Sequence, residues 1–166
     1  ITGTGNMTSW DMASDTPWYK SRSSISSVVI GDGITNIGPG AFAECTNLRS
    51  ISIPKTVTSI SRGAFLRCSG LSSLDLSENV TSLGREALRG CSSLNSLTIR
   101  NPKCSIVGGT LTVCNSDNGT KGTYNGVIKG YSDSTAEKYA SQSGYRFEKL
   151  SGTPPTPVTT TTTTTH

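Results

Sequence analysis

The sequence predicts an α/β solenoid: a right-handed superhelix of about four to five 23-residue coils, with parallel strands and a cap at each end. Three observations predict it. A nine-residue phrase recurs at a fixed interval, as "GAFAECTNL" at 40–48, "GAFLRCSGL" at 63–71 and "EALRGCSSL" at 86–94. At that interval residues 28–50, 51–73 and 74–96 align column by column, and a degraded fourth copy starts at Leu97. Within the copies, "LRSISI", "LSSLDL" and "LNSLTI" alternate apolar and polar residues, the period of a half-buried strand.

The aligned columns are apolar where a coil must face inward. Val28, Ile51, Leu74 and Leu97 share one column, and Ile30, Ile53, Leu76 and Ile99 a second. Ile37, Ile60, Leu83 and Ile106 form a third, and Phe42, Phe65, Leu88 and Leu111 a fourth. Leu48, Leu71 and Leu94 form a fifth, while Ala41, Ala64 and Ala87 are small enough to let neighbouring coils approach. One copy alone cannot bury such a face, so the copies must stack into a continuous core. Roughly eight apolar side chains per copy, at about 1.5–3 kcal/mol each, supply the main stabilising term. Conformational entropy offsets most of it. "VTSI" (57–60) and "VTSL" (80–83) are β-branched and read as a second short strand. "GAFAEC" and its copies, apolar at i, i+1 and i+4, read as a helical turn.

The ends break the period, as the exposed ends of a solenoid require. Residues 1–27 read as an N-terminal cap, with Trp10, Trp18 and Tyr19 forming a lid over the first coil. The alternative is an aromatic platform for a sugar. Residues 28–123 are the repeats, the last copy degenerate. Residues 124–150 read as a C-terminal cap of strand, helix and strand. There Ser134 and Glu137 make a capping box, Ala136, Tyr139 and Ala140 an apolar helix face, and Gly144 a stop. Tyr131, Tyr139, Tyr145 and Phe147 are expected in the core of that cap. Residues 151–166, "SGTPPTPVTTTTTTTH", lack large apolar side chains other than Val158 and read as an extended Pro/Thr-rich linker.

Composition narrows the function. Of 166 residues, 33% are hydrophobic and 16% charged, which suits a thin core under much polar surface. The net charge of +4 comes without a Lys/Arg run, so no nucleic-acid footprint is expected. No stretch of about 18 apolar residues offers a membrane insertion. No signal peptide is visible, and the abrupt start reads as a piece of a longer protein. The only histidine is His166, in the tail, so the usual base for a Ser or Cys nucleophile is missing. Most of the acids, Asp11, Asp15 and Asp32 among them, fall in turns or on outer faces of different coils. Asp75 and Glu78 could pair as in a glycosidase, yet nothing around them suggests a cleft. "DNG" at 117–119 lacks the remaining ligands of a calcium loop. Cys45, Cys68, Cys91 and Cys114 occupy one column. Strand spacing of about 4.8 Å and parallel side chains suit buried free thiols rather than disulfides, and a line of thiols cannot converge on zinc. No enzyme activity, metal or cofactor is expected.

The pattern L-x-x-I-x-I at Leu48, Ile51 and Ile53, L-x-x-L-x-L at Leu71, Leu74 and Leu76, and the longer "VTSIxxxAFxxCxxLxSIxIP" resemble the BspA-like leucine-rich repeats. The resemblance covers about residues 1–150, caps included. It implies a bacterial or protozoan surface setting and binding through the strand face. The Pro/Thr tract is similar to linkers of secreted bacterial proteins, cellulosomal ones among them. The function expected is a non-catalytic, extracellular protein-interaction module of a multimodular bacterial protein, cellulosome-associated in one version. Carbohydrate or cell-wall adhesion and a structural spacer are the alternatives. The expected partner is another extracellular or surface protein, or else a polysaccharide, and the module is expected to be a monomer. Candidate contact residues on the strand face are Arg49, Ser52, Asp75, Thr98 and Arg100. Arg62, Arg67, Arg85 and Arg89 form a candidate basic stripe on another side.

Overall fold

A computed structural model describes residues 1–10 and 13–156. The repeat interval is the length of one coil, and each coil has three sides. On the first side, strands Ser27–Val29, Ser50–Ser52, Ser73–Leu76, Ser96–Ile99, Val127–Gly130 and Arg146–Lys149 follow one another along the solenoid. Their pairings are parallel, with Val28 opposite Ile51, Leu74 opposite Leu97, and Leu97 opposite Ile128. The first two form one sheet and the last four another. On the second side, Gly5–Asn6, Ile34–Ile37, Ser59–Ile60, Ser82–Leu83 and Ser105–Ile106 make a single five-stranded parallel sheet. The expected second short strand is therefore present in each coil.

The third side differs from expectation. "GAFAEC" forms successive turns rather than helix, and Leu88–Arg89 in the third copy is a strand paired with Val113–Cys114. The amides explain why. Ala41, Ala43 and Cys45 donate three residues back, to Gly38, Gly40 and Phe42, at 3.2, 3.0 and 3.1 Å. The intervening amides of Gly40, Phe42 and Glu44 donate to the next coil, at Arg62, Ala64 and Leu66, at 3.0, 2.8 and 2.7 Å. A helix would keep all these amides for itself and leave the coils unbonded. The alternation needs left-handed residues, which fall in two columns. One is Gly40, Gly63, Glu86 and Gly109 (φ 62, 62, 59 and 63°), the other Glu44, Arg67 and Gly90 (φ 61, 57 and 72°).

The core is most of the column set read from the repeats, although Val28, Ile51, Ile53 and Ile106 are only partly buried. Ile37, Ile60, Leu83, Phe42, Phe65, Leu88, Leu48, Leu71 and Leu94 are all buried. All five cysteines are buried free thiols. Cys68 Sγ donates to the Phe42 carbonyl at 3.0 Å and Cys91 Sγ to that of Phe65 at 3.2 Å.

Rings continue the phenylalanine column toward the N-terminus. Phe65 stacks on Phe42 (5.6 Å, 12°), Trp18 stacks on Phe42 (5.7 Å, 15°), and Trp10 meets Trp18 edge-on (5.4 Å, 74°). Trp18 Nε1 donates to the Ala41 carbonyl at 2.7 Å. At the other end the helix Thr135–Ser143 starts on Ser134, whose hydroxyl accepts from the Glu137 amide at 3.2 Å. The Glu137 carboxylate accepts from Asp133 N–H, one residue earlier than a standard capping box would place it. Gly144 ends the helix at φ 71°, and Ala136, Tyr139 and Ala140 are its buried face. Tyr139 Oη donates to the Gly109 carbonyl at 2.8 Å and Tyr145 Oη to that of Thr110 at 3.2 Å, so the helix and Tyr145 just beyond it are bonded to the coil before them.

Candidate functional site

The strand face has two unlike halves. On the first two coils the outward positions are Ser27, Val29, Ser50 and Ser52, all exposed, with Arg49 exposed beside them. Arg49 takes part in no ion pair among the described residues. From the third coil on, charges appear. Asp75, Thr98, Lys129 and Glu148 lie opposite one another in register across four strands. Arg100 reaches back to Asp75 with both arms of its guanidinium, Nε at 2.8 Å and Nη2 at 2.7 Å. That bidentate geometry holds Arg100 above its ordinary pKa. Lys129 meets Glu148 at 3.4 Å. Thr98, between these pairs, is buried. Of the five strand-face candidates, the structure thus joins Asp75 with Arg100, leaves Arg49 and Ser52 exposed, and places Thr98 beneath the surface.

The arginine side is a ladder of opposite charges. Glu44 meets Arg22 at 3.3 Å and Arg67 at 3.9 Å. Glu86 accepts from Arg62 at 3.1 Å and from Arg89 at 2.8 Å. Arg89 also makes a bidentate pair with Asp117, at 2.9 and 2.7 Å. Burial pushes the Glu86 carboxyl up, but its bonds to Arg62 and Arg89 outweigh that and leave it below its ordinary value. The bond from Arg89 likewise lowers Asp117. Arg85 is exposed and makes no ion pair among the described residues. The sequence shows the arginines of this stripe clearly. It shows their acids poorly, because Glu44, Glu86 and Asp117 come from different repeat columns and meet only through stacking.

Other acids read from the sequence are also occupied. Lys55 Nζ meets Glu78 at 2.7 Å, and that bond lowers the Glu78 pKa, the reverse of what a general acid needs. In "DNG", Asp117 accepts from Gly119 N–H and Asn118 from Thr120 and Lys121 N–H, which closes the tip of the hairpin Ser116–Asp117 to Gly122–Thr123. Asp11, His166 and most of the Pro/Thr tract lie outside the described residues. The described clefts are shallow; among them are one of about 590 Å³ beside Glu137, Tyr145 and Phe147, one of about 300 Å³ beside Asp117 and Lys121, one of about 280 Å³ beside Arg22 and Arg67, and one of about 240 Å³ beside Trp10 and Trp18. Among the described residues no helix is long and apolar enough to cross a membrane.

Parallel coils in this register, with a broad strand face, define a repeat solenoid that presents surface along its length. The BspA type leucine-rich repeat region matches residues 16–120 in six copies, and the chain belongs to that family. Solved structures share the fold. A leucine-rich repeat protein from Bacteroides ovatus matches with a TM-score of 0.59 at 20% identity, over 78% of this chain and 31% of that one. One from Eubacterium ventriosum matches at 0.56 and 24%, over 80% and 39%. The pneumococcal vaccine antigen PcpA matches at 0.53 and 20%, over 77% and 36%. The chain spans less than half the length of each. No curated protein matches the chain.

Proposed function

We propose that this chain is a non-catalytic protein-interaction module of a multimodular bacterial protein, displayed outside the cell. On this reading the strand face binds another surface or secreted protein, and the module works as a monomer. The observation that carries it is the strand face itself. It is a row of small, mostly polar residues that includes exposed Val29, bordered by exposed Arg49 and by the bidentate Asp75–Arg100 pair. Arginine is a preferred hot-spot residue, and a pre-oriented guanidinium loses little freedom on binding. Ser52 supplies close approach beside it. The description of PcpA as a vaccine antigen supports an exposed setting. The carbohydrate reading draws less support, because one face of Trp18 is spent on Phe42 and its Nε1 on Ala41. The stripe Arg62, Arg67, Arg85 and Arg89 is a second, less basic contact surface: Arg62 and Arg67 stay largely exposed beside their acids, Arg85 makes no ion pair among the described residues, and Arg89 is held between Glu86 and Asp117. We assign residues 1–27 and 124–150 to caps, 28–123 to repeats and 151–166 to a linker, in keeping with the stacked rings at one end and the helix at the other.

The test is capture of secreted and surface proteins by the immobilised chain, alongside an Arg49→Ala/Arg100→Ala variant. The expected result is a saturable partner that the variant binds at least about tenfold more weakly, while both chains melt alike. A partner bound equally by both would move the contact off this face. Binding only of polysaccharide would replace the reading with adhesion.

A further inference from the structure

The strand face is not one continuous sheet. Ser27–Val29 pairs with Ser50–Ser52, and Ser73–Leu76 pairs with Ser96–Ile99 and onward, but no ladder joins Ser50–Ser52 to Ser73–Leu76. The flanking bonds stop at the same place. Arg49 N–H donates to Ser26 and Asn95 N–H to Ser72, each at 2.9 Å. Ile30 N–H donates to Ser52 and Arg100 N–H to Leu76, each at 3.0 Å. The equivalent bonds across the gap would run from Ser72 to Arg49, Ile53 to Asp75, and Ser77 to Ile53. Among the described residues none of them is made.

Side chains mark the same boundary. Ile30, Leu76 and Ile99 are buried, whereas Ile53, in the same column, is half-buried. Ser77, at the far end of the gap, carries the one buried side-chain oxygen without a partner among the described residues. Pro54 follows Ile53 where other coils have Gly31, Ser77 and Arg100, and it restrains the residue before it. Yet the second and third coils stay joined on their other two sides. Ser59 pairs with Ser82 and Ile60 with Leu83, while Gly63, Phe65 and Arg67 donate to Arg85, Ala87 and Arg89 at 3.0, 2.9 and 2.7 Å. The loops beyond the gap are linked by side chains: Lys55 Nζ meets Glu78 at 2.7 Å, and Asn79 Nδ2 donates to the Lys55 carbonyl at 2.8 Å.

We propose that the gap is a hinge. The first two coils bend as a body against the later ones, about the two continuous sides, and this opens or closes the strand face between Ser52 and Asp75. A side of the stack that lacks inter-coil backbone hydrogen bonds opens more readily than the sides that have them. Closure would make the missing bonds and bury Ile53. The hinge does not require that this face bind a partner.

Two measurements on the full chain test it. The first is residue-resolved amide exchange. Ser72, Ile53 and Ser77 are expected to exchange roughly 100-fold faster than Arg49, Asn95 and Arg100. Protection within a few-fold of those amides overturns the proposal. The second is the distance distribution between spin labels on Ser27→Cys/Val127→Cys, which spans the gap, compared with Ser73→Cys/Arg146→Cys, which does not. The buried native thiols leave the introduced cysteines as the labelling sites. The expected result is a markedly broader or two-peaked distribution across the gap. Equal widths overturn the hinge even where exchange is fast, because the gap is then rigid.

Discussion

At the scale of single residues, backbone conformation and thiol burial carry the most. Gly63 sits at φ 62°, and a Cβ there would first meet Leu66 Cβ at 3.8 Å. Space is not the obstacle, so Gly63→Ala measures the left-handed penalty almost alone. It is expected to destabilise by about 1–2 kcal/mol in urea unfolding. Arg67, at φ 57° and 3.9 Å from Glu44, gives the converse. Arg67→Gly is expected to be neutral or to stabilise by up to about 1 kcal/mol. The thiols add a pH dependence. Burial pushes Cys45 up to about 11 and Cys91 and Cys104 up to about 12, and raises Cys68 and Cys114 as well. Their ordinary value is 9.0, so the unfolded chain loses these protons first as pH rises. Stability is therefore full below pH 9 and falls between pH 9 and about 11–12. Denaturation midpoints at pH 7 and pH 10.5 check the sign, and Cys91→Ala should flatten the slope. A thiol reagent should react with none of the five cysteines until the chain unfolds.

At the scale of elements, the C-terminal helix can be tested by itself. Ser134 is buried and caps Glu137, so Ser134→Ala is expected to cost about 1–2 kcal/mol by loss of the cap. Tyr139→Phe removes the bond to the Gly109 carbonyl and keeps the ring, at an expected cost of about 1 kcal/mol. Both are read by thermal melts. This helix was legible residue by residue, because cap, apolar face and stop are local signals. The "GAFAEC" side was not. Its i, i+1, i+4 apolar spacing suits a helical turn, but the small Ala41, Ala64 and Ala87 let backbones approach until bonds between coils compete with bonds within them. Local pattern does not register that competition.

At the scale of the whole molecule, stability is a stack, each coil covering the next. Phe65 lies mid-stack and fully buried, and Trp18 lies half-buried at the end. Phe65→Ala is expected to cost about 3–5 kcal/mol and Trp18→Ala about 2, both from urea titration. A Trp18→Ala variant of unchanged stability that loses polysaccharide binding would revive the sugar-platform reading. The stripe on the arginine side teaches the same lesson at this scale. Arg62, Arg67, Arg85 and Arg89 look uniformly basic along the chain, yet Glu44, Glu86 and Asp117 interleave with them once the coils are stacked.

The coil length, most of the apolar columns, the parallel order of the strands, the alignment of four cysteines and the C-terminal helix are all legible in the residues alone. All of these follow from one repeat interval and from local chemistry. Tertiary structure decided which charges neutralise one another, that Thr98 is buried, and where the strand face parts between Ser52 and Asp75. Those features depend on small offsets between neighbouring coils. The repeat makes those offsets look alike, and only the packed backbone sets each one apart.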